Sequence, residues 1–262
     1  MASPLESSLR NFDENKIRSP AVGMRVTVAD HRSEVPFHQH RQAQLILTLK
    51  GSVTCEAPRS IWVVPPRCVV WIPGQMLHSV RATANAQFCY LFVQPDTAQL
   101  PNECCTLSIS PLVRELVLHM TNEPAQYDPD SPAGRKAAVL LEELADMPIE
   151  RLYLPTSGDL RMRKIVAMLS DHPADRRTLA QWGELVAMSE RSLARLFQQE
   201  TGLTFGRWRQ QLHLIVAMRE LAAGRSVQRV ADHLGYESVS AFITMFKKAF
   251  GKPPARYFAE LE

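Results

Sequence analysis

Hydrophobic and polar positions change rhythm near residue 106. Before it, short runs rich in β-branched and aromatic residues, Met24–Val28, Gln44–Leu49, Trp62–Val64, Cys68–Ile72 and Phe88–Val93, are punctuated by Pro58, Pro65-Pro66, Pro73-Gly74 and Pro95. Strands at this close spacing with turn signals between them predict a small sandwich or barrel. After it, Pro111–Thr121 and Pro132–Met147 read as helices, each opening with a proline, whose missing N–H is no loss in a first turn. Pro155-Thr156-Ser157-Gly158 reads as a linker into a last, helical part. The expected architecture is α+β: a β-barrel over 1–105, a helical linker or dimerisation segment over 106–155, and an all-α domain over 156–262.

The last part repeats itself. At an offset of 49 residues Leu185 falls on Leu234, Ser189 on Ser238, Leu193 on Phe242, Phe197 on Phe246 and Gly202 on Gly251. Such self-similarity marks two copies of one supersecondary unit. In the first, Thr178 and Gln181 form a T-x-x-Q capping box that starts a helix burying Leu179, Trp182, Leu185 and Val186. It stops near Ala187-Met188, and Ser189 caps a second helix that buries Leu193, Leu196 and Phe197 and ends at Gly202. In the second copy Val227, Val230, Ala231 and Leu234 line the first helix, and Gly235 stands at the corner. Ser238 then caps a helix expected to bury Phe242, Phe246 and Ala249, with Gly251 as its stop. Two short helices joined by a tight corner make a helix-turn-helix. Thr204–Ala223, with Phe205, Trp208, Leu212, Ile215, Val216 and Leu221 at helical spacing, connects the copies. As one rigid helix packed on both, it would set their relative orientation, so that both enter successive major grooves about 34 Å apart.

The outer faces of the second helices carry the chemistry. Arg191, Arg195 and Gln198 stand at i, i+4 and i+7, opposite the apolar set, with Ser192 and Ala194 beside them. An arginine fork on such a stripe suits guanine O6/N7 or phosphate oxygens. In the second copy the stripe is Val239, Ser240, Ile243 and Thr244, followed by Lys247 and Lys248. It offers apolar contact for thymine methyls and cations for phosphate, but no bidentate arginine.

Charge supports this division. Residues 1–155 hold 14 Lys and Arg against 16 Asp and Glu, whereas 156–262 hold 16 against 11, so a basic half follows a near-neutral one. With 262 residues, 45% of them hydrophobic and 22% charged, the chain is long enough for two domains and is not wholesale disordered. No apolar run approaches the ~18 residues of a membrane span. The opening MASPLESSLRNFDENK has no apolar core, so no secretory signal is expected. Five cysteines, an odd number with no C-x-x-C pair, argue against a disulfide framework or zinc knuckle and for a reduced, cytoplasmic protein. With no G-x-S-x-G, Walker loop, H-E-x-x-H or dinucleotide-binding glycine set, an enzyme is not expected.

Ser189-x-x-x-Leu193-x-Arg195-x-Phe197-x-x-x-x-Gly202, and then Ala231-x-x-x-Gly235-Tyr236-x-Ser238-x-x-x-Phe242-x-x-x-Phe246-Lys247-x-x-Phe250-Gly251-x-x-Pro254-x-x-Tyr257, resemble the two signature stretches of the DNA-binding domain of AraC/XylS transcription regulators. The resemblance covers roughly 159–258 and implies seven helices, two helix-turn-helix units and promoter binding. It places first-reader base contacts on Arg191, Ala194 and Arg195, and second-reader contacts on Val239, Ser240, Ile243 and Thr244. The chain departs from the family where many members have arginine, at Thr244 and near His213.

The first half resembles cupins. His38-x-His40-x-x-x-Gln44 with Gly51, then Pro73-Gly74-x-x-x-His78, reproduce their two motifs, except that Gln44 stands where cupins have glutamate. Residues 38, 40 and 44 share a parity and would project to one face of a strand, with His78 brought alongside from a neighbour. Three converging imidazoles can hold a divalent transition metal, or line the pocket of an organic effector. The combination implies a regulator that binds double-stranded promoter DNA, responds to a small molecule, acts as a homodimer with RNA polymerase as a further partner, and controls neighbouring transporter or catabolic genes. Two other readings stand beside it: a metal-dependent cupin enzyme with a helical appendage, and a sensor whose first half binds only a partner protein or a second copy of itself.

Overall fold

The computed structural model describes residues 18–29, 33–64, 68–150 and 153–259. The opening residues, read as lacking a secretory signal, and Pro65-Pro66 lie outside them. The described residues form two compact units, one built from those within 18–57 and 62–150, the other from 58–61 and 153–259.

The first unit is an antiparallel sandwich carrying two helices, in keeping with the expected fold class. Its strands are β1 (Ala21–Thr27), β2 (Ser33–His38), β3 (Ala43–Lys50), β4 (Val53–Ala57), β5 (Ser60–Val63), β6 (Cys68–Ile72), β7 (His78–Ala82), β8 (Gln87–Val93), β9 (Cys105–Ser108) and β10 (Ile149–Glu150). One sheet runs β1-β8-β3-β6-β9-β10, and the strands β5-β4-β7-β2 make the other. On the first sheet Leu45, Leu47, Val69, Trp71, Cys89 and Leu91 share a face with Val113, Val117, Ala137, Leu140 and Leu144. The last five belong to helices α1 (Pro111–Met120) and α2 (Pro132–Ala145), which begin on Ser110 and Ser131, each accepting a backbone N–H, with the prolines behind them. The opposite face, with Gln44, Ile46, Val70, Ile72, Tyr90 and Phe92, is also buried and meets the second sheet.

That double burial explains which strands the apolar pattern reveals. The five expected runs fall on β1, β3, β5, β6 and β8. No expected run covers β2, β4, β7, β9 or the two-residue β10, and three of these five belong to the second sheet. There β2 (SEVPFH) alternates buried and exposed positions, and β4 (VTCEA) alternates buried with half-buried ones, so neither carries an apolar run.

The second unit opens with β11 (Tyr153–Pro155). Seven helices follow among the described residues: α3 (Leu160–Asp171), α4 (Leu179–Leu185), α5 (Glu190–Thr201), α6 (Phe205–Ala222), α7 (Val227–His233), α8 (Val239–Phe250) and α9 (Pro254–Ala259). Asp159, Thr178, Ser189, Thr204, Ser226 and Ser238 each cap a helix by accepting a backbone N–H, and the Thr178/Gln181 pair makes the full capping box. Gly202 and Gly251 end α5 and α8 in the left-handed conformation, as expected. Trp182, Leu193, Phe197, Trp208, Leu212, Val216, Phe242 and Phe246 form one core.

Two expectations need correction. Ala249 is exposed, and the apolar stripe of α8 continues instead through Phe250, whose ring lies 4.6 Å from Phe246 and 5.3 Å from Tyr257. The i+4 step of the helix, repeated from Phe242, lands on 250 rather than 249. The segment Pro155–Gly158 is no open linker: Ser157 is buried and donates to Glu200 Oε2 at 2.8 Å, while Trp208 Nε1 donates to the Pro155 carbonyl at 2.8 Å.

Candidate nucleic-acid interface and histidine cluster

The two reader helices are built alike. In each, a serine cap holds the N-terminus, through Ser192 N–H to Ser189 Oγ at 3.2 Å and Ala241 N–H to Ser238 Oγ at 3.2 Å. Residues four and eight beyond the cap are fully buried: Leu193 and Phe197 in α5, Phe242 and Phe246 in α8. Fixing the cap and the buried face fixes the rotation of each helix, and with it the outward face.

In α5 that face presents Arg191, Ala194, Arg195 and Gln198, all exposed, with Ser192 half-buried. Neither arginine has a side-chain partner among the described residues. Ser192 and Gln198 are engaged locally: the Ser189 hydroxyl donates to Ser192 Oγ at 2.9 Å, and Gln198 Nε2 donates to the Gly202 carbonyl at 2.9 Å. In α8 Ser240, Thr244 and Lys247 are exposed, but Val239 and Ile243 are half-buried against the core. Thr244 donates its hydroxyl back to the Ser240 carbonyl at 2.8 Å.

Helix α6 packs against both α5 and α7. Its 18 residues span ~27 Å at 1.5 Å per residue. His213 on this helix faces inward. Its Nε2 donates to the Pro173 carbonyl at 3.0 Å and its Nδ1 accepts from the Tyr236 hydroxyl at 3.4 Å. Burial lowers its pKa to about 4, against the pull of the Pro173 carbonyl, so it stays neutral. His213 is therefore a core position here.

In the first unit His38, His40 and His78 converge, one ring nitrogen of each lying within 4.8 Å of the others. The route differs from the parity argument. His38 ends β2 in the second sheet, His40 sits in the connector, and Gln44 lies on β3 of the first sheet, so the chain crosses between sheets within this motif. Pairing of β2 with β7 runs Ser33↔Ala82 and Val35↔Val80, then jumps to His38↔His78, which leaves one extra residue on β2. This bulge sits on an edge strand, where Pro36 loses no ladder bond, and it reverses the inward phase so that His38 turns toward His78. Phe37, which an unbroken strand would bury, is half exposed instead.

The Pro73-Gly74 turn brings the third histidine. A Cβ at Gly74 would meet the Arg41 carbonyl oxygen at 2.3 Å, so only glycine lets this turn press on the 40–42 connector. Gln75 N–H then donates to the His40 carbonyl at 2.7 Å. Ring centroids lie 4.3 Å apart for His38 and His78, 5.2 Å for His40 and His78, and 5.7 Å for His38 and His40. Phe92 packs edge-on to His40 at 5.6 Å. Burial drives the His78 pKa down to about 3; the Met76 carbonyl opposes this, and the two neighbouring imidazoles add to it.

Comparison with known proteins agrees with both halves. A family model described as AraC-like ligand binding domain matches residues 22–128, and one described as helix-turn-helix domain matches 182–260. The HTH-type transcriptional regulator NimR of Escherichia coli (strain K12) is 44% identical over 254 residues, covering 97% of this chain and 93% of that protein. The HTH-type transcriptional regulator RipA of Corynebacterium glutamicum is 29% identical over 103 residues, 39% of this chain and 31% of that one. Among solved structures, apo ToxT K231A from Vibrio cholerae aligns over 94% of this chain and 99% of its own, at 13% identity and a TM-score of 0.39.

Proposed function

Because the chain belongs to the AraC family of helix-turn-helix transcription regulators, with a ligand-binding and a DNA-binding domain, we propose that α5 and α8 read successive major-groove segments of one promoter duplex. The observation that carries this is the pair of equivalently capped, equivalently buried helices whose outer faces remain in solvent, with Arg191 and Arg195 unpaired among the described residues. Arginine at these positions supplies bidentate hydrogen bonds to guanine, Ala194 and Ile243 supply contact for thymine methyls, and Lys247 supplies a phosphate contact.

In this reading the sandwich unit binds a small-molecule effector, and binding shifts the chain between DNA-competent and incompetent arrangements through its differing affinity for the two. The protein works in the cytoplasm as a homodimer assembled through the 106–155 helices, regulates rather than catalyses, contacts RNA polymerase, and serves neighbouring transporter or catabolic genes. The similarity to NimR, a named transcriptional regulator, over nearly the whole length of both chains supports a regulatory role. No helix among the described residues is long and apolar enough to cross a membrane.

In-vitro selection of DNA bound by the full chain tests the reading. The expected result is a recovered motif bound 10³-fold or more tighter than random duplex, an order of magnitude typical of specific binders. A chain that retains no sequence above the random pool overturns it.

A further inference from the structure

We propose that the loop over residues 172–177 ties the two helix-turn-helix units directly to each other. Ala174 and Arg176 are then positioning residues that set which spacing of two DNA segments the readers accept. The spacing role rests on the DNA-reading function proposed for α5 and α8; the tie itself does not. It gives the orientation of the units a second source besides α6.

The loop is anchored in the first unit. It runs from the end of α3 to Thr178, the cap of α4. Asp175 Oδ1 accepts the Arg177 backbone N–H at 2.9 Å, and Arg177 Nη1 lies 3.5 Å from Asp175 Oδ2. The Arg177 guanidinium stands 4.9 Å from the ring centroid of Trp182, a fully buried member of the core, within cation–π range. The α4 side therefore sets the course of the loop.

Its other side meets the second unit. Pro173 is buried, and its carbonyl accepts from His213 Nε2 at 3.0 Å, while His213 Nδ1 accepts from the Tyr236 hydroxyl at 3.4 Å. Arg176 Nη2 donates to the Gly235 carbonyl at 2.6 Å, and its Nη1 donates to Glu237 Oε1 at 3.1 Å. Both partners of that ion pair are exposed, so the charged bond to the backbone carbonyl is the firmer of the two. Gly235 has a φ of +74°, and a Cβ there would also meet Ala174 Cβ at 3.0 Å and the Ala174 carbonyl oxygen at 3.3 Å. Glycine at this corner thus serves both the left-handed turn and the approach of the loop.

The corner leads straight into the second reader. Ser238, the cap of α8, follows Glu237, so a tie at 235–237 acts on the start of that helix. Two units joined through one helix can roll about it, and a second joint removes that freedom. Readers held at one separation and phase match one spacing, because each added base pair moves the second segment by about 3.4 Å and about 35°.

The test uses the full chain and duplexes carrying the selected motif with zero, one or two base pairs inserted between its two segments. The variant is Ala174→Gly/Arg176→Ala, which changes two exposed positions. Expected is a loss of affinity of at least about fivefold per inserted base pair in the wild type, the low end of one base contact, against less than about twofold in the variant. General destabilisation would instead weaken all spacings alike. Equal spacing losses in the two proteins overturn the tie. Failure to recover any motif overturns the DNA reading, and the tie is then judged without DNA. Spin labels on Gln199→Cys and Ala249→Cys, in a Cys104→Ser background, report the separation of α5 and α8 in the free chain. The variant is expected to broaden that distance distribution, and an unchanged distribution overturns the tie.

Discussion

The two reader helices share a skeleton and differ in skin. Both α5 and α8 begin on a serine cap, bury the residues four and eight positions on, and stop at a left-handed glycine. Yet α5 turns outward two arginines that are unpaired among the described residues, while α8 turns out small hydroxyls, a lysine pair and two half-buried aliphatics. A helix fixed by its cap and two core positions keeps the same rotation whatever its outer residues are, so scaffold and reading surface vary independently. A duplicated unit can thus divide its work, with base discrimination concentrated in one copy and backbone anchoring in the other.

The largest effects test the shared skeleton. Phe197→Ala and Phe246→Ala are each expected to destabilise the helical unit by about 3–5 kcal/mol in chemical denaturation, because each empties a fully buried aromatic site. A markedly smaller loss for one would show that the copies are not structurally equivalent.

Acid tests the core beside the second corner. His213 has a folded pKa lowered to about 4, so as pH falls the unfolded chain takes up the proton first. The stability is full above about 6.5, the ordinary histidine value, and is lost progressively as pH falls toward 4, by roughly 3 kcal/mol at most. His213→Gln should flatten the melting profile in that window.

The next effect separates the surfaces. Arg195→Ala is expected to weaken specific over non-specific DNA binding by about 1–3 kcal/mol, the worth of one bidentate base contact. Thr244→Ala, whose hydroxyl is spent on the Ser240 carbonyl, should change it by less than about 0.5 kcal/mol. Equal losses in a gel-shift series would erase the division of labour. Lys247→Ala should weaken binding evenly on all sequences and reduce the salt slope by about one unit.

Much of the helical unit was legible because its signals are local. Thr178 with Gln181, Ser189, Thr204 and Ser238 announce helix starts through bonds spanning three residues, and Gly202 and Gly251 announce stops. The stripe on α8 was misread by one residue, since Ala249 and Phe250 are both apolar and only packing against Tyr257 decides between them. The first unit is legible where a strand carries a run of apolar residues and illegible where polar residues interrupt it, as in β2 (SEVPFH), β7 (HSVRA) and β9 (CTLS). The histidines were identifiable as a set, but their convergence was not derivable from parity. It depends on the Pro36 bulge in the pairing of β2 with β7, and on the chain crossing between sheets from His38 to Gln44, whose strand β3 pairs instead with β6 and β8.

Hydroxyl-radical footprinting of the full chain on a selected site tests the central claim most directly. Two readers held by one 18-residue helix should protect two segments on the same duplex face, centred 10–10.5 base pairs apart, with Arg195→Ala removing base preference in only one of them. A single protected segment per chain, unchanged when α8 is altered, would contradict it.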